Sequence, residues 1–230
     1  MATAVPGPTL GNSAYPTADG KPLAETDLHR KLMTALIDQL ERWYAHDPLV
    51  YVTGNLLVFY VPGNKRRHVS PDVMVVRGVP RGDRLNYLIW EEGKGPDLVI
   101  ELTSSSTRAE DTTRKFQLYR DTLKVQEYFL FDPFGDYLQP RLQGYRLSRG
   151  RYVAVRPVQG RLPSKVLGLH LERAGEMLRL YDPIRRHWLP TPQEELAQIR
   201  ADVQRLQQEV EDLRRRLPQS GAATGGEPCS

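Results

Sequence analysis

GPDLVIELTSSSTRAEDTTRKFQLYRDTLKVQEYFLFDP, residues 95–133, decides the fold of this 230-residue chain. Its first part, Pro96 to Leu102, reads as a buried strand, because Leu98, Val99, Ile100 and Leu102 form an apolar run of strand length. The run also carries Asp97 and Glu101. Successive strand side chains alternate faces, so Asp97, Val99, Glu101 and Thr103 point the same way. Two carboxylates on one face of a buried strand are costly unless something pairs with them. A divalent cation, which takes hard oxygen ligands, is one such partner.

Thr103 to Thr107 is a hydroxyl-rich turn in which Thr107 or Ser106 can cap a following helix. Glu110 and Asp111 suit the positive N-terminal end of that helix. The pattern predicts a helix from roughly Arg108 to Thr122, with Asp111, Lys115 and Tyr119 at four-residue spacing on one face. Val125 to Phe131 is again a strand, closed by Asp132-Pro133. Strand, helix, strand with short links is a crossover unit, and it predicts a parallel pairing inside a mixed sheet.

Working outward, Ser70-Pro71-Asp72-Val73 precedes this stretch, and Asp72 opens the strand Val73-Met74-Val75-Val76. A lone carboxylate at a strand start can simply cap a turn. Paired with Asp97 and Glu101 from a neighbouring strand, it reads as part of a site. The order Ser70–Val73, Pro96–Glu101, Ser104–Thr107, Lys115 and Tyr119, Glu127-Tyr128, Asp132-Pro133 resembles the bacterial Uma-two family, over about Tyr15 to Pro190. That family is regarded as part of the PD-(D/E)XK nuclease superfamily. The resemblance implies an α/β, restriction-endonuclease-like core with a mixed central sheet flanked by helices. It implies a Mg²⁺- or Mn²⁺-dependent endonuclease acting on DNA.

Carried over, the resemblance makes Asp72 and Glu101 metal ligands, with Asp97 able to bind metal directly or through water. Two residues after Glu101 the superfamily pattern calls for lysine, and this chain has Thr103. Threonine cannot supply positive charge; the replacement is Lys115 on the following helix, where the Uma-two pattern usually has its lysine. The plain alternative for Lys115 is a surface lysine paired with Asp111. An acidic residue on the first helix often supports the metal site in the superfamily, and Glu25 is the best-placed candidate, with His29 four residues on. Because of Thr103, two other readings stay open: an inactive DNA-binding relative, and a coiled-coil assembly protein with a nuclease-like interaction module.

Composition is consistent with this and excludes other classes. Hydrophobic content of 40% and a mean hydropathy of −0.51 fit a globular protein with a polar extension. No apolar run approaches the ~20 residues needed to span a bilayer. The first twenty residues lack the basic start and apolar core of a secretory signal, and the single Cys229 can form no internal disulfide. A cytoplasmic protein without a membrane partner is expected. No Walker or dinucleotide fingerprint occurs.

Residues 1–20 are expected to be flexible. A helix over about Glu25 to Ala45 carries a broad apolar stripe of Leu28, Leu32, Leu36, Leu40 and Trp43. Leu49–Thr53 and Leu56–Val61, separated by Gly54-Asn55, carry a hairpin signal. The loop Lys65-Arg66-Arg67 is basic. Arg141 to Lys165 holds seven basic residues, among them Arg146, Arg149 and Arg151, and no acidic one. Such a hairpin is either a soluble edge or a phosphate-contacting surface.

A nuclease-like domain is expected over 21–190, and a coiled-coil helix over 191–217. Thr191-Pro192-Gln193-Glu194 fits a capping box. Leu196, Ile199, Val203, Leu206, Val210, Leu213 and Leu217 then recur at alternating spacings of three and four. As heptad positions a and d they suit two parallel strands, with Glu195–Arg200 and Glu209–Arg214 attractive across the seam and Asp202–Gln207 neutral. A homodimer is expected, the alternative being a single helix folded back on its own domain. Pro218 stops the helix, and 218–230 is expected to be a disordered tail.

Overall fold

The computed structural model describes residues 12–18 and 26–216. Glu25, Leu217, the Pro218 stop, the tail over 218–230 and the rest of the 1–20 segment lie outside the described residues. The chain forms two compact units, which divide between Leu189 and Pro190. Among the described residues no helix is long and apolar enough to cross a membrane.

In chain order the first unit holds α1 (Asp27–Trp43), β1 (Val50–Thr53), β2 (Val58–Phe59), β3 (His68–Val69), β4 (Val73–Arg77), β5 (Tyr87–Leu88), the short α2 (Ile89–Glu92) and β6 (Leu98–Leu102). A helix with π-type turns over Glu110–Lys115 and Leu118–Thr122 leads to β7 (Glu127–Phe131). Then come β8 (Leu142–Ser148), β9 (Arg151–Ala154), β10 (Leu162–Pro163), β11 (His170–Ala174), β12 (Met177–Asp182) and β13 (His187–Trp188). The second unit contains α3 (Pro192–Arg216).

The central sheet has the order β1-β4-β6-β7-β8-β9. β6 and β7 run parallel, with Glu101 beside Leu130, and every other neighbouring pair is antiparallel. The crossover read from residues 95–133 is therefore present. Both faces of the sheet are covered, which is why β6 and β7 are apolar on both sides. Leu32, Leu36 and Leu40 of α1 pack with Val73, Val75, Leu98 and Ile100 on one face, together with Leu171 and Leu180 of the small sheet β10–β13. Tyr119 and Leu118 pack with Met74, Val76, Val99 and Tyr128 on the other.

Two local expectations are corrected. Gly54-Asn55 does not join a hairpin: β1 pairs with β4, whereas β2 belongs to the separate sheet β3-β2-β5. Asn55 has φ +52°, and its N–H bonds Pro71 carbonyl, so the chain turns out of the central sheet there. The helix after β6 is not regularly α-helical; the Leu123 N–H bonds the Leu118 carbonyl five residues back. In an α-helix, residues four apart drift around the axis by about 40° per step. Wider π-type turns reduce that drift, so Lys115 and Tyr119 both reach the strand beneath. Within the 1–20 segment, residues 12–18 make contacts with the first unit. Tyr15 packs on Phe59, and its hydroxyl accepts from the Gly63 N–H at 2.8 Å.

Gly54 is required by close approach. A Cβ there would lie 2.0 Å from the Asp72 carbonyl oxygen and 2.8 Å from Ile37 Cδ1. Gly54→Ala should destabilise the fold by about 1–3 kcal/mol or more, read as a lowered denaturant midpoint at constant slope. Unchanged stability would show that the β1–β4 end can relax freely.

Candidate active site

The site forms where β4 begins and β6 ends. Val73 pairs with Ile100, so one residue further along this antiparallel register Asp72 lies opposite Glu101. Side chains directly opposite on neighbouring strands share a face, about 4.5–5.5 Å apart at Cβ. Asp72 Oδ2 accepts from the Leu102 N–H at 2.7 Å, and Asp72 Oδ1 lies 3.3 Å from His29 Nε2 at the start of α1. Thr26 caps α1, accepting from the His29 N–H, which fixes this first turn.

Glu101 is fully buried. Its Oε1 accepts from the Tyr119 hydroxyl at 2.7 Å, and its Oε2 from Lys115 Nζ at 2.9 Å. Lys115 Nζ also lies 3.2 Å from Asp111 Oδ1. The lysine side chain is 12% exposed, so it is not a surface lysine. Thr103, where the resemblance calls for a lysine, donates to Asp111 Oδ2 at 2.7 Å and contacts the Tyr137 hydroxyl. Its hydroxyl thus braces the acid that faces Lys115. Asp132 accepts from the Gly135, Tyr137 and Leu138 N–H groups, which shapes the turn that carries Tyr137.

The electrostatics follow. Burial holds the Glu101 carboxyl well above the usual range; Lys115 opposes this, and Asp72 and Asp111 add to it. Burial would raise Asp72 too, but the His29 contact, Lys115 and the Leu102 N–H outweigh it and the net shift is downward. Burial works against the charge on Lys115, yet Glu101, Asp111 and Asp72 raise its pKa, so it stays a cation. Three carboxylates face one lysine here.

Asp97 is not part of this group. It shares a strand face with Glu101 but lies four residues away, roughly 13 Å along β6. Its Oδ2 accepts from the Arg77 N–H and from Lys94 Nζ, both at 2.7 Å, and its Oδ1 from Gln126 Nε2 at 2.8 Å. Arg146 also lies at that far end, where its Nε donates to Glu127 Oε1 at 2.7 Å beside Leu98. Arg149 and Arg151 are exposed at the β8–β9 turn beyond it. Lys65, Arg66 and Arg67 are exposed in the β2–β3 loop, with Arg67 over the Tyr60 ring.

The structure thus brings Asp72, Glu101, Lys115 and His29 together, and adds Asp111, Tyr119, Thr103 and Tyr137. The spacing Asp111, Lys115, Tyr119 signalled two of these; nothing local signalled Tyr137. Among the described residues no three His, Cys, Asp or Glu side chains surround a common point as a metal cage would. Two facing carboxylates do fit Mg²⁺, which commonly keeps several waters and takes one or two protein carboxylates with substrate phosphates.

A family model described as "Putative restriction endonuclease", Uma2, matches residues 10–177, most of the chain. The chain belongs to the Uma2 family. No curated protein matches it. A crystal structure described as that of a "putative nuclease" from Anabaena variabilis is similar at 19% identity, covering 68% of this chain and 85% of its own, with a TM-score of 0.47. Residues 178–216, including β13 and α3, lie beyond the Uma2 match.

The two carboxyl groups have opposite linkage to folding. Asp72, lowered in the fold, contributes stability above about pH 4 that is lost as pH falls through its folded value. Glu101, raised in the fold, favours folding below about pH 4.3, and that contribution is lost as pH rises through its folded value. Metal-free Glu101→Gln should therefore lose less thermal stability than wild type between about pH 5 and about pH 8. Parallel melting curves across that range would contradict the upward shift.

Proposed function

We propose that this Uma2-family chain is a Mg²⁺- or Mn²⁺-dependent endonuclease that hydrolyses DNA phosphodiester bonds. The observation that carries the reading is Asp72 opposite Glu101 across β4 and β6, with Lys115 Nζ 2.9 Å from Glu101 Oε2. Asp72 and Glu101 would hold the ion. A bound divalent ion would supply Lewis-acid polarisation of the phosphate and a more acidic water. Three carboxylates, of which Glu101 and Asp111 are buried, stand against one lysine and favour that extra positive charge.

The chain's own groups divide the remaining work. Lys115 remains protonated, so it acts as a fixed cation towards the phosphate or the attacking water and not as a base. Tyr119 holds Glu101 by one oxygen. His29 steadies Asp72 from α1, the place expected for Glu25. A second copy of the chain would supply the second site that a double-strand break requires.

The test is cleavage of plasmid DNA with and without Mg²⁺ or Mn²⁺. Asp72→Asn and Glu101→Gln should abolish metal-dependent cleavage while the fold persists. Salt-sensitive DNA retention without cleavage by the wild type would instead favour the inactive DNA-binding relative. Lys115→Ala should lower turnover by about 10²–10³-fold with a smaller change in DNA affinity. Residue 103 shares a face with Glu101, so adding Thr103→Lys to Lys115→Ala should restore part of that loss. A Lys115→Ala variant that cleaves normally removes the lysine from the mechanism.

A further inference from the structure

The longest element of the protein, α3, stands outside the Uma2 match and outside the candidate site. Its start is well defined. The Thr191 N–H donates to Glu194 Oε2 at 2.8 Å and the Glu194 N–H to Thr191 Oγ1 at 3.2 Å, a reciprocal capping box. The helix then runs unbroken to Arg216. None of its residues is buried. Leu196, Ile199, Val203, Leu206, Val210 and Leu213 are 54, 51, 46, 53, 47 and 54% exposed. These six form one seam about 27 Å long. A continuous apolar stripe of that length on an otherwise polar helix marks an interaction surface.

We propose that the occupant of this seam is α3 of a second copy of the chain, packed parallel and in register. Three features favour that partner. At the a positions two of three described residues are Val, and at d two of three are Leu, a pattern that suits two strands. In parallel register each g residue meets the e residue five positions on. Glu195 then faces Arg200 of the partner subunit, Glu209 faces Arg214 of the partner subunit, and Asp202 faces Gln207 of the partner subunit. By symmetry each pairing occurs twice, and none is repulsive.

An antiparallel overlap of the same six residues fails by comparison. There g meets g and e meets e. Glu195 would face Arg216 of the partner subunit, but Asp202 would face Glu209 of the partner subunit, again twice. Two repulsions then cancel the two attractions. The charge pattern therefore selects orientation, while the seam supplies the association.

Sedimentation equilibrium of the full chain tests this, independently of any nuclease activity. The wild type should be a dimer at micromolar concentration, and Leu206→Glu should be monomeric. Glu209→Lys and Arg214→Glu should each weaken the dimer by about tenfold, and the double variant should regain most of the loss. The antiparallel arrangement makes the opposite forecast for Glu209→Lys, which would replace a repulsion with an attraction and tighten the dimer. Tightening by Glu209→Lys overturns the parallel register. A wild-type monomer, or a dimer insensitive to Leu206→Glu, overturns the seam itself.

Discussion

Two carboxyl groups, Asp72 and Glu101, stand side by side across β4 and β6, and much of the first unit is arranged around that constraint. Two carboxyl groups this close, one of them fully buried, are unfavourable alone. Each acid is therefore met by donors from a different element. The Leu102 N–H comes from the sheet, His29 from the start of α1, and Lys115 and Tyr119 from the π-type helix. Moving any of these elements would leave a buried charge without its partner. The close approach of Gly54 to the Asp72 backbone fixes the remaining side.

The two ends of β6 show how the same residue types serve different ends. Asp97 is matched by Lys94, Gln126 and the Arg77 N–H. Beside it, Glu127 is matched by Arg146, Ser164 and the N–H groups of Lys165 and Val166. Both are acids supplied with enough donors, which ties the ends of the strands to the loop over 163–167. At the other end Glu101 and Asp111 share Lys115, and Asp72 beside them meets His29 and the Leu102 N–H. Surplus buried charge of one sign is expensive, and proteins retain it chiefly where chemistry uses it. That contrast, more than the count of acids, separates the candidate active site from the structural ion pairs.

α3 obeys different rules. The first unit hides its apolar residues inside two packed faces, whereas α3 presents its own to the outside. Its stability as a helix rests on its cap and on surface pairs such as Arg205 with Asp202. Such pairs are weak, and a helix with so little internal support gains most from burying its seam.

The sequence by itself determined the elements whose signals are local. The apolar runs of β6 and β7 and the helical periodicity of 192–216 depend on neighbours in the chain, and two strands and a helix stand there. The opposition of Asp72 and Glu101 was also within reach, since strand order and alternation imply it. What depended on distance through space was decided by the tertiary structure. Alternation put Asp97 on the face of Glu101, but only the strand's length separates them, and only the packed loops supply Asp97 with other partners. Gly54-Asn55 carried a hairpin signal because local turn preference cannot register that β4, arriving later in the chain, takes the edge of β1. The wide turns that bring Lys115 and Tyr119 to one carboxylate, and the Thr103–Tyr137 contact, arise for the same reason. A side chain's partner is set by where the fold delivers the opposing surface, and that information is not stored near the residue itself.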